Sequence, residues 1–301
     1  MGAKTAVAKA GRKKKRDTKQ LWAFGFCLPN IVFFIIWFVI PAVIGLMYSF
    51  TNYNGFKKMD FVGLSNYQKL FQDSDFYMAL LRTMLYTVVT VPLIYIVSLL
   101  FGLLLSAEKI HGMPVLRVLV YWPVLLSAIM VGLVWRWLFG ETFGFVNYVL
   151  QSLGGSGVHW ATNSTAAFFT TVIASVWSGC GTNMLIFIGA LKQISTEQIE
   201  AARLDGANRW QIFIHVKLPE LRPVSFMVIL LSTISSFKVF AMVQSLTNGG
   251  PGTATTYMIQ YIYTTGFTKN KVGYASAASM VLFLILMILS IIQTRVTSKQ
   301  D

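Results

Sequence analysis

Six long apolar runs divide the chain, at about 21–49, 79–106, 115–139, 166–191, 223–246 and 273–295. Each reaches or exceeds the roughly 20 residues that a helix needs to cross a bilayer. Inside hydrocarbon a helix satisfies its own backbone donors and acceptors, so the pattern predicts an all-α membrane protein with six transmembrane helices. Pro29 and Pro41 predict a kinked or tilted first span, and Pro92 a bent second one. Tyr121-Trp122-Pro123 opens the third span and Trp135-Arg136-Trp137 lies near its outer end, as an aromatic belt at the membrane boundary does. Between the runs, the aromatic, mixed-charge segment 50–78 is expected to lie along the outer membrane face. Glu108 to Gly112 reads as a tight inner turn. The stretch around Gly154-Gly155-Ser156-Gly157 reads as an exposed outer loop, and Leu246 to Thr253 as a rigid, Gly-rich outer turn.

Composition agrees with this pattern. Of 301 residues, 55% are hydrophobic and 12% charged, with a mean hydropathy of +0.62; soluble domains carry about 25% charged residues. The net charge of +14 would in a soluble protein suggest nucleic acid, but its distribution is topological. The tail, the second and fourth loops and the C-terminus hold seventeen Lys and Arg, against five in the first, third and fifth loops. Positive loops stay inside, so both termini and the fourth loop are expected to be cytoplasmic, with residues 1–20 a basic anchor. The apolar run after Leu21 is too long for the h-region of a cleaved signal peptide. Cys27 and Cys180 both fall inside spans and suggest neither a disulfide framework nor a metal site. Asn163-Ser164-Thr165 matches a glycosylation acceptor in form, as triplets do by chance.

Two places carry candidate chemistry. In the fourth span Ser175, Ser178, Gly179 and Thr182 recur at i, i+3, i+4 and i+7 and so share one helix face, with Trp177 and Asn183 beside them. The fifth span presents Ser232 and Ser236 on one face, with Ser235 and Lys238 nearby. Small polar stripes serve close helix packing or line a solute path, and both readings stand at this point. Lys238 so deep in a span must face a cavity or a partner charge, unless the span is displaced and the side chain snorkels outward. The other place is Glu200-Ala201-Ala202-Arg203-Leu204-Asp205-Gly206, running on to Leu218-Pro219. Glu-Ala-Ala favours helix, Asp-Gly turns the chain, and Leu-Pro stops a second short helix. Helix, turn, helix, stop makes a polar knob between two spans.

That spacing (E-A-A, three residues, G, nine residues, hydrophobic-x-L-P) resembles the EAA loop of binding-protein-dependent ABC transporter permeases. Phe237-Lys238-Val239-Phe240, Leu246-Thr247-Asn248-Gly249-Gly250-Pro251 and Gly273-Tyr274-Ala275-Ser276-Ala277 are similar to the second half of sugar-type permeases. These form the carbohydrate-uptake subfamily, with subunits of the maltose-transporter F type and the glycerol-phosphate A type. Val216 departs from the usual Ile, and Ala241 stands where many relatives carry Asp. The resemblance implies a type I ABC importer permease fold over 21–295, an EAA coupling loop at about 192–222, and a short cytoplasmic tail at 296–301. It implies a bacterial-type inner-membrane location and a second homologous permease as partner. It further implies two ATP-binding cassette subunits, a solute-binding protein outside, and a sugar as cargo. Under it Glu200, Ala201, Ala202, Asp205, Gly206, Leu218 and Pro219 couple to the ATPase. Ser175, Trp177, Ser178, Gly179, Thr182, Ser232, Ser236 and Lys238 line the pathway.

ATP and Mg would be bound by the partner, because this chain lacks a G-x-x-x-x-G-K-[ST] loop. The chain is thus expected to be a transport subunit without a cofactor of its own. The alternative is an ion-coupled secondary transporter, against which the spans hold no Asp or Glu in their interiors. A membrane-embedded enzyme is disfavoured because His111, His159 and His215 are dispersed.

Overall fold

A computed structural model describes residues 25–56, 59–106 and 112–297. The basic tail 1–20, most of the expected inner turn at Glu108–Gly112 and the last four residues lie outside that range. Among the described residues every regular element is a helix, beside one isolated antiparallel bridge between Thr51 and Phe61. In chain order they are α1 (Gly25–Ser49), α2 (Ser65–Leu70), α3 (Ser74–Leu105), α4 (Met113–Leu125), α5 (Ala128–Leu138), α6 (Phe145–Ser152) and α7 (Ser164–Leu191). There follow α8 (Thr196–Leu204), α9 (Arg209–Glu220), α10 (Arg222–Phe237), α11 (Ala241–Leu246), α12 (Met258–Tyr263) and α13 (Val272–Thr297). Helices α1, α3, α7 and α13 are each long and apolar enough to cross a membrane. The bent pairs α4–α5 and α9–α10 bring the number to six if each pair makes one crossing.

The expected third and fifth spans are therefore corrected. The run 115–139 is two helices meeting at 101°. Pro123 tightens the end of α4 into a 3₁₀ turn, Leu126 is extended, and the Ser127 hydroxyl accepts from the Met130 N–H to start α5. The run 223–246 ends as helix at Phe237, passes through a non-helical Lys238–Phe240 link, and resumes as α11. Its 16-residue helix α10 is about 24 Å long at 1.5 Å per residue, short of the ~30 Å hydrocarbon core. Before α10 the chain turns by 67° from α9, where Pro223 has no N–H to continue the earlier helix. In α1, residues Ile35–Val39 widen into a π-turn directly ahead of Pro41, so the expected distortion is present.

Helix starts are set by short polar side chains. The Asp73 carboxylate accepts from the Asp75 N–H, so α3 begins at Ser74, five residues before the expected span. Asn163 accepts from Thr165 N and Ala166 N and starts α7; the apparent glycosylation triplet is a helix cap.

Helices α3 and α7 form the centre, side by side and in the same direction. Tyr86 OH meets Ser175 Oγ, Ser98 Oγ donates to the Cys180 carbonyl at 3.2 Å, and Gly102 meets Phe187 further along both helices. The Tyr86 and Tyr257 rings lie 4.6 Å apart, and the Tyr257 and Thr171 hydroxyls 2.9 Å apart, in a buried cluster with Val131, Val172 and Met242. Two glycines allow backbones to touch. A Cβ on Gly181 would stand 2.8 Å from the Val120 carbonyl oxygen of α4. One on Gly132 would collide with Ser245 Oγ and lie 2.5 Å from the Met242 carbonyl oxygen, where α5 crosses α11. Because α3 and α7 are parallel, their N-terminal ends share one side of the molecule, and α8–α9 emerges on the other. Helix α1 joins this body through its second half, which packs on α13, while residues 25–44 are all exposed.

At the N-terminal end of α3, Asp73 Oδ2 accepts from Tyr261 OH and from Tyr274 OH, both at 2.7 Å, tying α3 to α12 and α13. Burial pushes this carboxyl up. The hydroxyls of Tyr274 and Tyr261 and the N–H groups of Asp75 and Phe76 outweigh it and hold the pKa below the ordinary value.

Two outcomes follow for the purified protein in detergent. Gly132→Val must separate α5 from α11, and is expected to lower the unfolding free energy by about 2 kcal/mol, read as a drop in thermal midpoint. Asp73→Asn tests the carboxylate knot. A depressed folded pKa means the charge stabilises above the ordinary carboxylate pKa of about 3.9 and stops doing so as pH falls through the lower folded value. The midpoint difference between wild type and Asp73→Asn should be full at about pH 7 and shrink as pH falls into the acid range; a difference independent of pH contradicts the assignment.

Candidate functional site: a turned helix pair at one end and a polar helix face

The Glu200–Pro219 stretch folds as its residues require. Helix α8 ends at Asp205, and Gly206 takes φ +82°, a left-handed conformation that costs a residue with a Cβ roughly 1–2 kcal/mol. Gly206 N–H then donates to the Arg203 carbonyl at 3.1 Å and Ala207 N–H to the Ala202 carbonyl at 3.0 Å, the paired bonds of a Schellman stop. Two residues later Asn208 and Gln211 close a reciprocal capping box that starts α9. Helix α9 passes through a π-turn at Phe213–Lys217 and reaches Leu218 and Pro219, both half-buried. The result is a tight V of two helices.

Its inner surface is an open cleft of about 300 Å³ lined by Ala202, Asp205, Gly206, Ile212 and His215 among others. Glu200 and Ala201 lie outside it and are exposed, as are Asp205 and Gly206. The knob also presents bare apolar surface: Leu204 is 89% exposed and Trp210 66%, the latter ring 5.4 Å from Phe213. Ile194, just before α8, and Ile212 in α9 are buried. Sequence reasoning found the turn but not Leu204 and Trp210; large apolar side chains within so polar a stretch were the available signal.

The polar face of α7 divides between packing and open surface. Ser175 meets Tyr86 of α3, and Gly179 faces Ile94 with room for ordinary contact. The Ser178 hydroxyl donates back to the Ala174 carbonyl at 2.9 Å, within its own helix. Trp177 is half-buried with its ring 5.6 Å from Trp135, and Thr182 is exposed. On α10, Ser232 and Ser236 are 5% and 4% exposed, on the buried side. Asn183 Nδ2 reaches Ser232 Oγ at 3.5 Å and links the two helices. The opposite side of α10 carries Met227, Leu231, Ser235 and Lys238, all exposed and spaced four, four and three residues apart. Lys238 caps the end of α10 instead of lying within a span, its N–H directed to the Ser235 and Ser236 carbonyls. The structure thus links Gly179 through Asn183 to Ser232, turns Ser175 towards Tyr86 of α3, and sets Thr182 and Lys238 apart on exposed faces.

Comparison with known proteins places this architecture. Residues 71–300 match the model of a family described as binding-protein-dependent transport system inner membrane component. The chain is 31% identical over 292 residues to the probable starch degradation products transport system permease protein AmyD of Thermoanaerobacterium thermosulfurigenes, covering 96% of this chain and 98% of that one. It is 30% identical to the arabinooligosaccharides transport system permease protein AraP of Bacillus subtilis, over 97% of this chain and 94% of that one. Among solved structures, a chain of a bacterial alginate ABC transporter, in complex with an alginate pentasaccharide-bound periplasmic protein, superposes with a TM-score of 0.82. That match has 23% identity and spans 94% of this chain and 96% of that one. The match over residues 71–300 contains both the turned knob and the α3–α7 centre, and the chain belongs to the family of binding-protein-dependent transport system inner membrane components.

Proposed function

We propose that this chain is one permease subunit of a carbohydrate importer, driven by ATP that a partner chain hydrolyses. The observation that carries the reading is the α8–α9 knob, a rigid two-helix element with uncovered Leu204 and Trp210. It stands at the opposite end of the molecule from Asp73 and Asn163. A stiff projection with apolar tips is what a moving partner can seat and push. Glu200, Ala201, Ala202, Asp205 and Gly206 form its head, and Leu218 and Pro219 its return to the body.

The mechanism assigned to it is mechanical. Closure of two ATPase subunits, which hold the ATP and Mg, displaces the knob. Because α8 follows α7 and α9 precedes α10, the displacement reaches the two helices whose polar faces line the path. Thr182, Ser235 and Lys238, exposed here, face the second permease subunit across that path, with Ser175, Trp177, Ser178, Gly179, Ser232 and Ser236 behind them. Hydroxyls, an amide and a single cation suit hydroxyl-rich solutes, and the sugar-transport relatives support that cargo class. A solute-binding protein delivers it on the outer side. Both termini and the knob lie in the cytoplasm, by the distribution of Lys and Arg.

Uptake by the assembled transporter in the native host tests the reading. Gly206→Pro, which cannot adopt a positive φ, and Glu200→Lys should each reduce uptake of the transported sugar at least tenfold while the protein still inserts at normal amounts. Normal uptake by either variant removes the coupling role. Lys238→Ala should leave insertion unchanged and raise KM severalfold; an unchanged KM takes Lys238 out of the path. Uptake into vesicles that runs on an ion gradient without ATP would replace this reading with a secondary transporter.

A further inference from the structure

Away from the α7–α10 face, at the end of the molecule that holds the start of α3, lies a cavity of about 390 Å³ between α3, the Asn248–Thr256 loop and α12. In a chain that is 55% hydrophobic, every residue around this cavity carries a side chain with a hydrogen-bonding group. Three features separate it from a cleft left to water. Its floor is a chain of amides held in register: Gln260 Nε2 donates to Gln244 Oε1 at 2.8 Å, and Gln244 Nε2 to Asn248 Oδ1 at 2.6 Å. Gln260 is 5% exposed, and its Oε1, buried against Gly249, has no hydrogen-bond partner among the described residues. Arg82 enters from α3, half-buried and without an ion pair among the described residues, so its planar set of donors is uncommitted. Beside them Phe240, Tyr263 and Phe267 form a run of rings with centroids 5.0 and 5.2 Å apart, of which Tyr263 lines the cavity and Phe267 is 71% exposed.

We propose that this cavity is a glycosyl-binding subsite at the outer mouth of the chain, distinct from the polar face of α7 and α10, which holds one sugar unit before it enters the membrane path. Amides that both donate and accept, threonine hydroxyls and a guanidinium match a ring of hydroxyls, and an aromatic face suits the C–H side of a sugar. Arg82 and Lys269 set against Asp75 leave one net positive charge, so the subsite takes a neutral unit or one bearing a single carboxylate. The rigid Gly249–Gly252 turn acquires a purpose here, since it places Asn248 and backs Gln260. The proposal rests on the reading of the chain as a carbohydrate importer subunit.

The test uses the full chain in lipid nanodiscs, with binding of maltotriose, arabinotriose and trigalacturonate measured by saturation-transfer NMR. Uptake of the same sugars by the complete transporter in cells is measured alongside. Expected is binding of at least one trisaccharide, weakened at least tenfold by Arg82→Gln at an unchanged thermal midpoint, and at least tenfold by Gln244→Leu as well. Should Gln244→Leu fail to fold, Thr268→Val at the exposed rim joins Arg82→Gln in its place. Binding indifferent to these substitutions, or no binding although one of the sugars is taken up, overturns the subsite and leaves the importer reading intact. Absence of both binding and uptake of all three overturns the importer reading and the subsite with it.

Discussion

A peptide group without a hydrogen-bond partner in hydrocarbon costs several kcal/mol, and the architecture is an answer to that one constraint. All regular structure among the described residues is helical, and at several helix ends a polar side chain or a turn meets the freed groups. Asp73, Ser127, Asn163 and Asn208 each accept from the first N–H groups of a helix, and the Schellman pair around Gly206 closes the end of α8. Asp73 also ties three helices together through two tyrosines, so the residue that starts α3 is a knot of that end of the molecule as well.

With the backbone satisfied, the helices pack according to how small they are at each crossing. Gly181 and Gly132 let α7 meet α4 and α5 meet α11 at backbone distance, while Tyr86 and Tyr257 fill the wider space between α3, α7 and α12. Lipid supplies no hydrophobic drive between helices, so such contacts and the few interhelical hydrogen bonds hold the bundle. The α8–α9 knob and the end that holds Asp73 lie at opposite extremes of this packed centre.

Legibility in the sequence followed the same physics. Spans α3, α7 and α13 were readable because one uninterrupted apolar run corresponds to one helix. The break between α4 and α5 was not, because residues on both sides of it are equally apolar; Pro123 and Ser127 were the available clues, and an aromatic belt gave them another meaning. Lys238 reads in the sequence as deep in a span, facing a cavity or a charge unless the span is displaced, whereas the helix ends there and the side chain is exposed. The Glu200–Pro219 knob was legible down to its turn because Asp-Gly states a backbone conformation outright. The stripe on α7 could not be resolved by periodicity, which assigns a face but not its neighbour. Ser175 owes its partner Tyr86 to a residue 89 positions away.

Helix α1 stands apart from this economy. Residues 25–44 touch nothing else that would bury them, and the helix is moored near its C-terminal end, beyond the π-turn and Pro41. Once assembled it behaves as an outrigger. Apolar substitutions along its first half therefore leave the packing of the other described helices undisturbed.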